Sequence, residues 1–287
     1  MKILVTGASG FIGNYVVQIL LNNGCTVIAT SRNLAKVKHF SWYEKVKYIP
    51  FDLNFSNDKN NLYKYFDCPD KVIHLAWEGL PNYDQDFHIT EILPKHKLFL
   101  NNLIDNGLKD VTISGTCLEY GMKEGCLTET DVCNPTNAYA KAKFDLYKFV
   151  LANSIEKKVN FKWIRLFYMF GAGQNDKSLI SQLEKAIQIG AKNFNMSAGQ
   201  QKRDFLPIES VASNIISLAL QDQNQGIVNC CSGNPVSIEN FVKAYLFKRG
   251  YELKLNLGFY PYTSYEPMSF WGDNTKLKNI LSKHRIS

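Results

Sequence analysis

A chain of 287 residues, 45% of them hydrophobic, is long enough for one large domain or two interleaved ones around a sizeable core. Seven cysteines, an odd number without a C-x-x-C pair, indicate neither a disulfide framework nor a zinc site and fit a reducing cytoplasm, and no apolar run has the length to span a bilayer. The net charge of +7 comes from lysines scattered through Lys36, Lys38, Lys45, Lys47, Lys59, Lys64 and onward, which reads as a solvated basic surface attractive to anionic small ligands, not as a nucleic-acid patch.

Ile3-Leu4-Val5 reads as a buried strand that starts at once, so no secretory leader is expected. Thr6-Gly7-Ala8-Ser9-Gly10-Phe11-Ile12-Gly13 follows it directly. The three glycines let the backbone turn sharply, let a pyrophosphate reach the amides that open a helix, and let that helix sit close on the sheet. The helix is predicted from Ile12, Tyr15, Val16, Ile19 and Leu20, which share one face. The expected ligand is a dinucleotide contacting Gly7, Ser9, Gly10, Phe11, Ile12 and Gly13; an ordinary strand-to-helix turn is the alternative.

Residues 25–30 give a second strand, and its end bears on the cofactor. A carboxylate there would accept from the ribose 2′-hydroxyl of NAD, whereas an Arg accommodates the 2′-phosphate of NADP. The chain has Ser31-Arg32-Asn33, a hydroxyl and a guanidinium suited to phosphate, so NADP(H) is expected. Residues 46–51 and 71–76 give a third and a fourth strand, the third ending at Asp52-Leu53. Strands alternating with helical stretches predict an α/β fold, a Rossmann-type doubly wound parallel sheet with helices on both faces. His74, inside an apolar strand, suits a satisfied core histidine better than a catalyst.

Residues 111–114 form a fifth strand, whose exit carries Thr116 at the place where such sheets bind ligands. Asn137 opens a helix on which Tyr139 and Lys143, four apart, share a face. An ammonium beside a phenol favours the phenolate and lowers the Tyr pKa from about 10, enabling proton exchange near neutrality. Residues 163–167 give a sixth strand, and helices are predicted over 178–189, 208–220 and 238–249.

Together the glycine stretch, His74-Leu75-Ala76, Thr116 with Tyr120-Gly121, Tyr139 with Lys143, and Arg203-Asp204-Phe205 resemble the extended short-chain dehydrogenase/reductase family, the nucleotide-sugar epimerases, dehydratases and reductases. The resemblance runs nearly the whole chain. It implies a Rossmann domain over 1–171, with 205–222 returning to it, a smaller C-terminal α/β substrate domain over 172–287, and a homodimer. It assigns Tyr139 as catalytic acid/base, Lys143 as the residue that orients the nicotinamide ribose and tunes Tyr139, and Thr116 as the hydrogen-bond partner of the reacting oxygen. Asp52, Leu53, Leu75 and Ala76 join the cofactor contacts. Trp77, Glu78, Tyr168 and Arg203 join Thr116 and Tyr139 on the nucleoside-diphosphate sugar, with Arg203 on its diphosphate. Tyr168 stands where the family usually has Asn, and Phe170 where it usually has Tyr.

A 4,6-dehydratase of this family carries Asp and Glu immediately after the Thr, where this chain has Cys117 and Leu118. The bifunctional epimerase-reductases carry a Cys at the place of Leu118 and a distant His, and no His lies between His96 and His284. The loop 77–83 resembles that of the nucleotide-sugar 4-ketoreductases, and the aromatic loop 260–273 offers a wall for a base or sugar or simply packs. The expected activity is NADPH-dependent reduction of a 4-keto-6-deoxyhexose linked to dTDP or CDP, in deoxysugar synthesis for surface polysaccharide. A 4-epimerase and a non-catalytic dinucleotide sensor or scaffold are the alternatives.

Overall fold

The computed structural model describes residues 1–54, 60–262 and 267–283. In chain order it contains β1 (Lys2–Thr6), α1 (Phe11–Asn22), β2 (Thr26–Thr30), the short α2 (Leu34–Val37), β3 (Lys47–Tyr48), the short α3 (Leu62–Tyr65), β4 (Lys71–His74), α4 (Leu93–Asp105) and β5 (Asp110–Thr116). Then come β6 (Gly125–Leu127), α5 (Ala138–Lys157), β7 (Asn160–Leu166), β8 (Tyr168–Phe170), α6 (Leu179–Gln188), β9 (Asn193–Asn195), β10 (Lys202–Pro207) and α7 (Ile208–Ala219). The chain closes with β11 (Gly226–Cys230), β12 (Pro235–Ser237), α8 (Ile238–Arg249), β13 (Lys254–Asn256), β14 (Phe270–Gly272) and α9 (Thr275–Lys283).

The central sheet has seven strands in the order β11-β7-β5-β4-β1-β2-β3. Every pairing in it is parallel. The fold is therefore the doubly wound α/β architecture expected. One core face packs α1 and α7 around Val16, Leu20, Ile215 and Val228, and the other packs α4 and α5 around Phe99, Leu103, Leu146 and Val150. Because Thr6 is in register with both Thr30 and His74, the exits of β1, β2 and β4 lie side by side.

The third strand is shorter than the 46–51 predicted. Ile49 and Phe51 still donate to the Ala29 and Ser31 carbonyls, and Pro50 between them faces the open edge of the sheet, where a missing N–H breaks no pairing. β11 was absent from the predicted strands; it adds a seventh strand beside β7, covered by α7 and α9.

At the entry end of the sheet a buried ionic group ties four segments. Lys71 and Lys162 both donate to Asp110, both reach the Gln221 carbonyl, and Lys71 also meets Asp222. The remaining strands build small sheets around the opposite end: β12-β10-β8, β13-β9 and β14-β6. Their contacts enclose two further apolar clusters, one with Cys117, Tyr120, Phe167 and Phe270, the other with Leu183, Phe194, Met196 and Val242. Of the predicted aromatic loop 260–273, residues 263–266 lie outside the described residues.

Candidate active site

The turn between β1 and α1 is built so that only glycine fits. Gly7 has φ +69°, and a Cβ there would meet the Ala76 amide nitrogen at 2.8 Å. A Cβ at Gly13 would fall 2.2 Å from the Gly7 carbonyl oxygen. Gly10 caps α1 with extended backbone and donates to Gly7 O at 2.9 Å. The amides of the first helical turn, from Phe11 onward, therefore begin a helix that carries no acidic side chain there. This is a cradle for a dinucleotide diphosphate: close backbone, exposed N–H groups and the positive end of a helix.

Thr6 locks the cradle to the exit of β4. Its Oγ1 accepts from the Leu75 and Ala76 amides at 3.2 and 3.3 Å. That hydroxyl also lies 2.8 Å from His74 Nδ1, and His74 Nε2 lies 2.7 Å from His96 Nδ1. Both histidines are buried; burial holds His74 down at about 3 and His96 well below the usual histidine range, so both are neutral bridging groups at physiological pH.

At the end of β2 the Ser31 hydroxyl lies 2.9 Å from the Tyr48 hydroxyl, and the Tyr48 hydroxyl donates to Ser31 O at 2.8 Å. Arg32 forms an ion pair with Glu78, whose second oxygen lies 3.7 Å from Lys95 Nζ. Glu78, expected on the substrate, thus stands against a residue expected on the cofactor. Asp52 accepts from the backbone and side-chain nitrogens of Asn54 at 3.0 and 2.9 Å, closing the turn next to Leu53.

The chemistry-bearing side chains meet at the exit of β5. Asn137 caps α5 by accepting from Ala140 N at 2.8 Å, which fixes the first turn of the helix that carries Tyr139. The Tyr139 amide donates to Tyr83 O at 2.9 Å, so the loop after β4 is tied to the same turn. The Thr116 side chain stands near enough to the Tyr139 phenol to favour the phenolate. Burial outweighs that effect and, with the nearby Tyr83 and Glu119, pushes the phenol well above its ordinary range.

Lys143 follows Tyr139 by one turn of α5. Its Nζ lies over the Trp77 ring at 4.6 Å and over the Trp163 ring at 5.3 Å, and burial draws it down to about 7. Trp77, expected on the substrate, stacks on His96 at 4.6 Å, meets Tyr139 edge-on at 5.8 Å, and donates from Nε1 to His88 Nδ1 at 3.2 Å.

Tyr168 on β8 and Arg203 on β10 occupy the small sheet. The Arg203 guanidinium is buried, 5.6 Å from the Tyr168 ring and 4.7 Å from the Phe270 ring, and donates to Lys202 O at 2.8 Å. Tyr168 and Phe270 pack with Cys117, so this group adjoins the turn that presents Thr116. The neighbouring Asp204 accepts from Ser232 N and Gly233 N at 2.6 and 2.8 Å, fastening β10 to the exit of β11.

Residues 3–231 match the NAD dependent epimerase/dehydratase family. The chain belongs to that family. It is 29% identical over 273 residues to dTDP-6-deoxy-L-talose 4-dehydrogenase (NAD(+)) of Aggregatibacter actinomycetemcomitans, spanning 95% of this chain and 99% of the relative. It is 24% identical over 306 residues to UDP-glucose 4-epimerase of Halalkalibacterium halodurans, spanning 98% and 90%. Its fold is that of UDP-glucuronic acid 4-epimerase from Bacillus cereus, with a TM-score of 0.85 at 21% identity over 100% of this chain and 95% of that one.

On this epimerase/dehydratase frame the structure adds residues that the sequence reading left out. Glu119 is fully buried and accepts from Thr116 N, Trp163 Nε1 and Arg165 Nε. Thr116 and Glu119 form a capping box, and the T-x-x-E spacing was the signal that could have found it. His88, within the short π-helical stretch His88–Ile92, orients Trp77 and lies 5.5 Å from the Tyr139 ring. Among the described residues no helix is long and apolar enough to cross a membrane.

Proposed function

We propose that the protein catalyses hydride exchange at carbon 4 of a nucleoside-diphosphate 6-deoxyhexose, reducing a 4-keto group in one direction and oxidising the 4-hydroxyl in the other. The observation that carries this reading is the Thr116–Tyr139 couple at the exit of β5, with the buried Lys143 one turn along the helix that carries Tyr139 and within the same crevice edge as the glycine cradle. A bound nicotinamide dinucleotide supplies or accepts the hydride. The chain's own residues manage the proton and the charge: Tyr139 protonates or deprotonates the oxygen on carbon 4, and Thr116 steadies the charge that develops on it. The site has one such couple, and the two positions after Thr116 are Cys117 and Leu118 in place of the carboxylates a dehydration would use. Arg203, buried in the small sheet beside Tyr168, is the residue we place on the substrate diphosphate.

The talose relative is named as a 4-dehydrogenase. Oxidation of a 4-hydroxyl and reduction of a 4-ketone share one transition state, so that likeness supports this chemistry without fixing its direction. Ser31 and Arg32 support NADP(H) as the dinucleotide, whereas Glu78 on Arg32 and the NAD(+) in the relative's name favour NAD(H). NADP(H) is our reading, because an Arg contact to phosphate outweighs the release of an exposed ion pair.

The competing 4-epimerase is favoured by the likeness to UDP-glucose 4-epimerase. The two are separated by stoichiometry. With a dTDP- or CDP-linked 4-keto-6-deoxyhexose, one NADPH is consumed per product for a reductase. Conversion of the matching 4-hydroxy sugar into its 4-epimer with only catalytic dinucleotide, and no net consumption or formation of NADPH, would overturn the reductase in favour of the epimerase.

A further inference from the structure

The hydride-exchange chemistry, as derived, makes no use of the buried carboxylate of Glu119. Its Oε1 accepts from Thr116 N at 2.9 Å and from Trp163 Nε1 at 3.0 Å, and its Oε2 accepts from Trp163 Nε1 at 3.1 Å and from Arg165 Nε at 2.8 Å. Room for it exists only because residue 115 is glycine: a Cβ there would lie 2.7 Å from Oε1 and 2.2 Å from Trp163 Nε1. Burying a carboxylate with its cation is costly and seldom more stabilising than an apolar pair of the same shape. Its bonds run to the backbone of Thr116 and to the indole over which the Lys143 ammonium lies, so its position serves the site.

We propose that Glu119 is a positioning residue for this site: one oxygen fixes the turn that presents Thr116, and the carboxylate behind the Trp163 indole keeps the Lys143 ammonium charged for its ligand. The proposal rests on Thr116, Tyr139 and Lys143 acting as described above.

The surrounding groups leave Lys143 as the one whose charge changes in the neutral range. From β4 and α4, His74 and His96 face it but are held neutral by burial. His88, beside Trp77, is held below the usual histidine range by burial. Around Glu119, burial raises Tyr139 and Tyr147 on α5 and Tyr120 on the intervening turn. Cys133 is pushed up to about 11 by burial, and Arg165 on β7 stays charged. Lys143, drawn by burial to about 7, has Glu119 as the carboxylate that favours its charged form.

The test uses paired variants of opposite sign. Glu119→Gln removes the negative charge and leaves Arg165 unbalanced; both effects disfavour the ammonium, so Lys143 loses its proton at lower pH. Arg165→Gln leaves Glu119 unbalanced and acts the other way. The readout is the dissociation constant of NADH, which carries no titrating 2′-phosphate, measured from pH 5.5 to 9 by protein fluorescence with thermal unfolding as the folding control. In the unaltered chain affinity should fall as pH rises through about 7, where the ammonium loses its proton. The limb should move at least about half a pH unit down in Glu119→Gln, a roughly twofold weaker NADH at pH 7 that approaches threefold at higher pH, and up in Arg165→Gln. If only one variant folds, its own direction decides. Limbs that stay put, or move the same way in both, overturn the proposal. Retention of turnover by Tyr139→Phe would instead overturn the reading of the site itself, so the two failures are distinguishable.

Discussion

Replacing Glu78 by Gln tests what sets the choice between the two forms of the dinucleotide. In the structure the Arg32 guanidinium is held by Glu78, whose side chain is 29% exposed against 57% for Arg32. A 2′-phosphate that recruits Arg32 must first draw it from that carboxylate and then sit near it. Releasing an exposed pair of this kind costs about 0.2–1 kcal/mol, while a charge-assisted contact from Arg to phosphate contributes about 1.5–3 kcal/mol. The second effect wins, so NADPH should bind more tightly than NADH by less than a free Arg would give. Glu78→Gln removes the competitor and should raise the NADPH:NADH affinity ratio by about 1.4-fold to 5-fold, the factor that corresponds to the pair's worth. Calorimetric dissociation constants for both dinucleotides at fixed low salt measure this, and the difference should shrink at high ionic strength because the groups are exposed. Arg32→Ala should abolish the preference in either background. A ratio unchanged by Glu78→Gln and by Arg32→Ala would show that neither side chain faces the 2′ position, and the cofactor argument from the end of β2 would fall.

Tyr139→Phe keeps the ring packed on Trp77, Tyr83 and His88 and removes only the phenol, so turnover should fall about 100-fold or more while dinucleotide affinity holds; near-normal turnover would assign the proton to another group. Arg203→Ala should raise the Michaelis constant of the nucleotide sugar with little change in NADPH affinity, thermal unfolding serving as the control because the side chain is buried. Collapse of NADPH binding in that variant would move Arg203 to the cofactor side.

What could be read from the sequence was what short-range chemistry dictates. Gly7, Gly10 and Gly13 were legible because backbone contact leaves no room for a Cβ, and Asn137 because its side chain caps the helix that begins one residue later. β11 was not: five residues, Gly-Ile-Val-Asn-Cys, carry too little pattern, and their strand character comes from pairing with the distant β7. The seat of Lys143 was hidden for the same reason. Helical spacing puts it on the face of Tyr139, but a loop and a strand from elsewhere in the chain bring Trp77 and Trp163 to its ammonium. The ion pair of Glu78 with Arg32 was hidden because a position after β4 says nothing of how far the side chain reaches toward the end of β2.

The fold buries Lys71 and Lys162 at one end of the sheet and Lys143 at the other, and the contrast separates structure from function. Lys162 is met by both oxygens of Asp110 and by the Gln221 carbonyl, which together answer the three N–H groups of an ammonium. Lys143 is met by the faces of two indoles, which attract the charge yet hold no particular N–H direction. An ammonium buried in that way keeps its hydrogen-bonding capacity for a ligand with hydroxyl groups, such as a ribose. Binding such a ligand should therefore favour the charged form and raise Lys143 from about 7, since hydrogen bonds to the ammonium stabilise it over the amine. Proton uptake on NADH binding near pH 7, measured as a buffer-dependent heat, is the expected sign of that coupling, and its absence would place the ribose elsewhere.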